Sequence, residues 1–448
     1  MNHNELGVKS LLIYFFCIFS LIITLKLYHI LLYHFIKEIT LQNTFIILFI
    51  CLFICFYTLP SIILAILQTR HIKAELRKPA VLLESEDYIL AGKYALASLH
   101  LDIFSKIVEA LVFIGWVSFG LYMLNSQIET FLTHINPLWQ GVILVLSFML
   151  IEGAINLPFS IYKTFGLDKK FHFSNQTPSI FIADLCKTLL LSLILGGIVA
   201  TLLIFIIENV SLWWIVGFIV LLAVVILANF IYPTLIAPLF NTFTPLDDDN
   251  LKSRIESLLN SIGFKSNGIF VINASKHDGR LNAYFGGLGK NKRVVLFDTL
   301  LDKISADGLI AILGHELGHF KHNDIFKNII IMACVLFMLF FVVGHLPLQL
   351  FDALGLTYNG ASILIMMILI SPIISFWFMP IIGYFSRKAE YAADEFGADI
   401  SSKHCLANAL VRLVNENKSF PSSHPAYIFF YYTHPPLLQR LKALDYEI

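Results

Sequence analysis

Eight runs of apolar residues, each close to the length of a bilayer's hydrocarbon core, limit what this 448-residue chain can fold into. They are Leu11–Phe35, Phe45–Leu67, Ile107–Leu124, Gln140–Leu157, Leu189–Ile207, Trp213–Leu235, Ile329–Leu350 and Ile363–Tyr384. A helix rises about 1.5 Å per residue, so about 20 residues cross a core about 30 Å thick. Inside that core every backbone N–H and C=O must find its partner within the segment, which a lone run achieves only as a helix. Composition agrees: 57% of residues are hydrophobic and 14% charged, where soluble domains have about half and about a quarter. The first run is too long for a signal-peptide core and lacks a small-residue cleavage site before the next run, so it reads as a retained span. Lys26 within it must face other helices or reach toward the headgroups. The expected fold is an α-helical polytopic membrane protein with eight spanning helices.

Loop charge gives the orientation. Arg70, Lys73, Arg77, Lys78 and Lys93 lie between the second and third runs, and Lys163, Lys169, Lys170 and Lys187 after the fourth. Residues 125–139, 208–212 and 351–362 contain no Lys or Arg. Basic loops stay cytoplasmic, and from the second run onward the alternation holds at every step. It places the long polar stretch before the seventh run, and the C-terminus, on the cytoplasmic side. With Lys+Arg and Asp+Glu balanced at 31 each, there is no basic excess to suit nucleic acid. Cys17, Cys51, Cys55, Cys186 and Cys334 sit in or beside apolar runs at spacings that suit neither disulfides nor a Cys-zinc site.

From about Tyr232 to Lys327 the composition is that of a folded soluble unit. Leu251–Ile262 reads as an amphipathic helix, Gly268–Ile272 and Val294–Phe297 as short strands, and Ser305–Phe320 as a helix. That last helix contains His315-Glu316-Leu317-Gly318-His319. Histidines four apart lie one turn above each other on one face, so both imidazoles can reach one tetrahedral zinc. Glu316 is left beside the metal, where it can take a proton from water and pass it to a leaving amine. Downstream, Glu390 and Asp394 share a helix face at i, i+4 spacing. On its own that pair suits a solvated surface helix. With the upstream motif, Glu390 becomes the third ligand, and Asp394 the acceptor that fixes a ligand histidine's tautomer. Three ligands leave one position open, as a catalytic zinc requires. Two strands before the metal helix suit a small sheet whose edge could hold an extended peptide.

The chain resembles the type I CAAX prenyl endopeptidases, integral-membrane zinc metalloproteases of the gluzincin kind. The resemblance rests on Ile236–Phe240, Phe243–Leu246, Asn282–Phe285, Asn291–Leu301, Leu313–His319, Ser386-Arg387 with Glu390 and Ala393-Asp394, and Thr433–Leu438 with Arg440. It spans roughly Phe45 to the C-terminus and leaves the first apolar run as an addition. It implies that Asn282 and Tyr284 lie by the substrate, where Asn282 could also be a plain turn former. It further implies that His434 stabilises the oxyanion of the transition state and that Arg440 makes a supporting ion pair, with Asp394 as the candidate partner. The family encloses a water-filled chamber, which Glu109 and Glu152 are placed to line. Those two, with Asn156 and Asn229, are polar residues inside spans and must face protein or water rather than lipid.

The expected organisation is an extra N-terminal helix (1–42), transmembrane helices forming the chamber wall (43–235) and a soluble catalytic insert of α+β type (236–327). Two further spans (328–385) and a third-ligand helix with a C-terminal catalytic segment (386–448) complete it. The expected function is zinc endopeptidase activity on protein or peptide substrates, prenylated ones included, with one Zn²⁺ per chain and no nucleic acid. Two alternatives stay open: an HtpX-like quality-control protease, and a non-catalytic membrane pore or scaffold with structural zinc. The setting is a multi-pass membrane location with a cytoplasmic catalytic side. That would be the inner (plasma) membrane of a bacterium, or the ER or inner nuclear membrane of a eukaryote.

Overall fold

The computed structural model describes residues 41–286 and 292–447. Seven helices among them are long and apolar enough to cross a membrane: α1 (Asn43–Glu75), α2 (Ser85–Phe131), α3 (Pro137–Asp168), α4 (Pro178–Asn209), α5 (Trp213–Phe240), α8 (Asp324–Gly344) and α9 (Gly360–Ile400). Six of them contain an expected span in full, most running well past it, whereas α8 ends at Gly344, short of the expected end at Leu350. The expected first span, Leu11–Phe35, lies outside the described residues. Four of the seven are interrupted by a π-helical turn, at Ile54–Thr58, Trp116–Gly120, Tyr162–Asp168 and Tyr232–Ile236. A π turn adds a residue to the helix and re-aims the side chains that follow.

Two of these turns place the partners of intramembrane acids. Tyr57 of α1 donates to Glu109 of α2 at 3.0 Å, and Lys106 donates to the same carboxylate at 2.7 Å. The indole N–H of Trp116 in α2 donates to Glu152 of α3. Asn156 and Asn229 instead donate to the carbonyls of Glu152 (2.9 Å) and Val225 (2.8 Å), one turn back in their own helices. These two acids and two amides are thus satisfied by neighbouring helices or by their own backbone, as a low-dielectric setting demands.

The polar unit sits between α5 and α8. Its strands are β1 (Phe243–Pro245), β2 (Ile269–Ile272), β3 (Ala283–Gly286) and β4 (Arg293–Phe297), in sheet order β1-β2-β4-β3. β2 and β4 are parallel, and the outer strands pair antiparallel. Four strands replace the two expected. The additional pair is short, and Pro245 and Gly286 close its members, so neither carries a readable alternation. One face of the sheet packs on α6 (Asp249–Ser261) and α7 (Ala306–Lys321) through Ile255, Leu296, Leu313 and Leu317. Asp248 caps α6 and Ser305 caps α7, each accepting a backbone N–H three residues on. After α9 come α10 (Lys403–Glu416), α11 (Pro425–Tyr431) and α12 (Leu437–Ala443).

The central element is α9. At 41 residues it is about 60 Å long, twice the hydrocarbon thickness. Its first half, including Ile363, Ile365 and Met366 at 0% exposure, is the core of the bundle. Its second half leaves the bundle without a break, through Pro372 and Pro380, and carries Glu390 and Asp394 to α7. The expected span ending near Tyr384 and the ligand-bearing segment that follows it lie on one continuous helix.

Helices α7 and α9 touch backbone to backbone. A Cβ built on Gly397 would stand 2.9 Å from the His315 nitrogen, and one on Gly318 would stand 2.8 Å from Ala393 Cα. The contact is as close as two helices can come, and a methyl group at either site forces them apart. Gly397→Ala is therefore expected to cost about 1–3 kcal/mol. Gly153→Ala, on α3 with nothing within 4 Å, is expected to gain up to about 1 kcal/mol from helix propensity. Thermal unfolding of the two purified variants should shift in opposite directions, and equal shifts would refute the close-contact account.

Candidate active site

Helical spacing and this close contact bring two pairs of side chains together. His315 and His319 lie one turn apart on α7, and Glu390 and Asp394 one turn apart on α9. The Glu390 carboxylate reaches both imidazoles: Oε2 is 3.4 Å from His315 Nε2, and Oε1 is 3.4 Å from His319 Nε2. One atom from each of the three residues falls within 4.8 Å of the others, the one such group of His, Cys, Asp or Glu found among the described residues.

The outer ring nitrogens are both held. His315 Nδ1 lies 2.9 Å from Asp394 Oδ1, and His319 Nδ1 lies 3.0 Å from Asp324 Oδ2. An ionised carboxylate can only accept, so each Nδ1 carries the hydrogen and each Nε2 presents a lone pair inward. Arg440 of α12 grips Asp394 with two parallel bonds, Nε to Oδ2 at 2.8 Å and Nη2 to Oδ1 at 2.6 Å. Asp324 is held in turn by Lys327 at 2.7 Å.

Asp324 was not singled out from sequence. It opens α8 five residues after His319, beyond the turn that ends α7. Asn323 there takes a left-handed conformation (φ 57) that folds the chain back toward the motif helix. An acid just after a helix-ending Asn was the available signal, but its contact depends on that single backbone angle.

The donor set fits a divalent metal. Separations of 3.4 Å between ligand atoms match the edges of a tetrahedron around a cation with bonds of about 2 Å. Glu390 Oε2 is buried without a hydrogen-bond partner, an orphan acceptor that a cation would satisfy. Burial disfavours charge on His315, yet its bonds to Asp394 and Glu390 outweigh that and push its pKa up to about 9. His319 is raised in the same way, with burial opposed by Glu390 and Asp324. The carboxylates that raise proton affinity here attract any cation placed between the rings.

Glu316 projects into a cavity of about 380 Å³ that it shares with His315, Asn282, His434 and Arg440. Burial raises its carboxyl above the ordinary range, opposed by the two motif histidines. His434, in the loop before α12, points Nε2 at Glu390 Oε1 from 3.1 Å with its side chain 65% exposed. Leu406, Leu410 and Leu413 of α10 form an apolar wall of the cavity. Tyr284 is placed differently. Successive strand residues face opposite ways, so Ala283 lines the cavity while Tyr284 packs on the far face of the sheet with Ile272 and Val295. The Asn282 side chain accepts the Ala283 N–H at 2.8 Å, and the preceding Leu281 N–H is accepted by the Asn417 side chain of the C-terminal region, also at 2.8 Å.

With this geometry in hand, comparison with known proteins is informative. Residues 245–448 match the family described as peptidase family M48, and residues 68–242 match the CAAX prenyl protease N-terminal region of five membrane helices. A CAAX prenyl protease 1 homolog of Arabidopsis thaliana is 36% identical over 308 residues, 65% of this chain and 70% of that one. CAAX prenyl protease 1 of Saccharomyces cerevisiae is 32% identical over 411 residues, 83% and 89% of the two chains. The crystal structure of S. mikatae Ste24p superposes with a TM-score of 0.83 at 29% identity, covering 92% of this chain and 100% of that one.

If Asp324 orients His319 as the geometry indicates, Asp324→Asn should weaken divalent-metal binding by about 10–100-fold. Competition with a chromophoric chelator measures this without reference to activity, and unchanged affinity would remove Asp324 from the site.

Proposed function

Because the chain belongs to the CAAX prenyl protease 1 group of peptidase family M48, and is thereby a membrane zinc metalloendopeptidase, we propose that it cleaves prenylated CAAX proteins near their C-termini. The observation that carries the assignment to residues is the meeting of His315, His319 and Glu390 beside Glu316 in one cavity.

In this reading His315, His319 and Glu390 hold one zinc ion, which when bound polarises the scissile carbonyl and acidifies a water molecule. Asp394 and Asp324 each hold an Nδ1 proton, so that Nε2 of both imidazoles is the nitrogen aimed at the metal position. Arg440 fixes Asp394 through its paired bonds. Glu316 takes the proton from the attacking water and delivers it to the leaving amine; its burial keeps the carboxyl basic enough for that transfer. His434, exposed at the cavity mouth, donates a hydrogen bond to the oxygen that gains charge in the transition state. Asn282 and the free side of edge strand β3 hold the substrate extended by backbone pairing, while Tyr284 supports β3 from the far face.

The division into chamber wall (43–235), catalytic insert (236–327), paired spans (328–385) and ligand-bearing C-terminal part (386–448) belongs to the same reading. The run Leu11–Phe35 would add an eighth span. The distribution of Lys and Arg among the loops supports a cytoplasmic catalytic side. The membrane would be the plasma membrane of a bacterium, or the ER or inner nuclear membrane of a eukaryote.

Purified full-length protein should release a C-terminal tripeptide from a prenylated CAAX peptide, lose this activity to a zinc chelator, and regain it on zinc addition. Glu316→Gln should retain zinc while kcat falls by about 10²–10⁴-fold; full activity in that variant would end the assignment. His434→Ala should lower kcat by about 10²–10³-fold with little change in zinc content. The absence of any chelator-sensitive cleavage would favour a scaffold carrying structural zinc.

A further inference from the structure

Beside the catalytic cavity lies a second and larger one, about 450 Å³, walled by the lower parts of α1 and α2 and by the segment joining α10 to α11. The two cavities share Asn417 and Ser419 in their linings, so they are immediate neighbours. Three ionisable groups of opposite sign line the second cavity: Arg280, Lys418 and Asp102.

The two cations are already matched. Arg280 donates to Asp278 at 2.8 Å and to the Tyr94 hydroxyl at 2.8 Å, with its guanidinium 4.5 Å from the Phe173 ring centre. Lys418 donates to Asp87 at 2.5 Å. Asp102 has no such partner: it makes no hydrogen bond and no ion pair among the described residues. Lys163 and Lys106 act on it only from a distance, and Lys106 is bonded to Tyr57 and Glu109. The cavity therefore presents one uncompensated negative charge, on a helix whose apolar stretch begins five residues later. Asp102 is exposed to the cavity, so its carboxylate is free to receive a ligand there.

The lining narrows the ligand. A single carboxylate is too few oxygen anions for a calcium or magnesium site, which draws on several. An anion would have to displace the partners of Arg280 or Lys418. An organic cation fits: it would meet the Asp102 carboxylate, and the Tyr427 ring of the same cavity is aromatic surface to which a cation is attracted.

We propose that this cavity is a subsite for a basic side chain of the substrate, with Asp102 receiving the lysine ammonium or arginine guanidinium while the neighbouring cavity holds the bond to be cut. The proposal rests on the endopeptidase reading above and adds to it a preference for basic substrates that the zinc site cannot supply.

The test separates the two. Fluorescent peptides that differ only in one residue, lysine or its neutral isostere norleucine, placed in turn at positions on each side of the scissile bond, are titrated against the full-length Glu316→Gln protein. At one position lysine should bind about three- to tenfold more tightly than norleucine. In the Glu316→Gln/Asp102→Asn protein that ratio should fall to one, and with Asp102→Lys it should invert when the variable residue is glutamate. Because a ratio is read, a general loss of affinity or stability cancels. A lysine-to-norleucine ratio that is unaffected by the Asp102 substitutions at every position, or that is one throughout, overturns the subsite. Cleavage of the norleucine peptide by protein with Glu316 intact reports separately on the endopeptidase reading.

Discussion

The contact of α7 with α9, backbone against backbone at Gly318–Ala393 and Gly397–His315, is the constraint on which the rest of the structure depends. Three small residues, Gly318, Ala393 and Gly397, let two helices approach until a carboxylate on one lies midway between two imidazoles on the other. Any wider crossing would leave Glu390 buried and short of both rings, an uncompensated charge in an apolar setting. Because the first half of α9 is also the core of the bundle, the proposed metal site and the membrane-embedded part share one continuous helix.

Around that contact the polar groups form a continuous chain. Arg440 holds Asp394, Asp394 holds His315, Glu390 spans both histidines, Asp324 holds His319, and Lys327 holds Asp324. Its members come from α7, the start of α8, the end of α9, and α12. No single segment builds the site, yet each ring nitrogen has one defined neighbour, so the imidazoles are oriented before any ligand arrives.

Local periodicity made much of this readable from sequence, and its limits explain the rest. His315, Glu316 and His319, like Glu390 and Asp394, were legible because i, i+4 spacing alone puts side chains on one helix face. The spans were legible because twenty apolar residues have few alternatives. The continuity of α9 was hidden by Pro372, Pro380 and the charges at Arg387 and Lys388, which resemble a helix end. β1 and β3 were hidden by their shortness. Asp324 was hidden because its reach to His319 depends on one left-handed residue. The position of Tyr284 follows from strand alternation only once Ala283 is known to face α7.

One consequence concerns α8. The residue that steadies His319 is also the first residue of a membrane-crossing helix, so the orientation of that imidazole is tied to how the helix sits in lipid. A thicker or thinner bilayer changes helix tilt at modest cost, and here the tilt is conveyed to a ring only five residues away. At the proposed metal site, occupancy would then depend on the surrounding lipid as well as on the ligands, and transfer into a micelle of the wrong width would loosen an ion held there while leaving every ligand side chain intact.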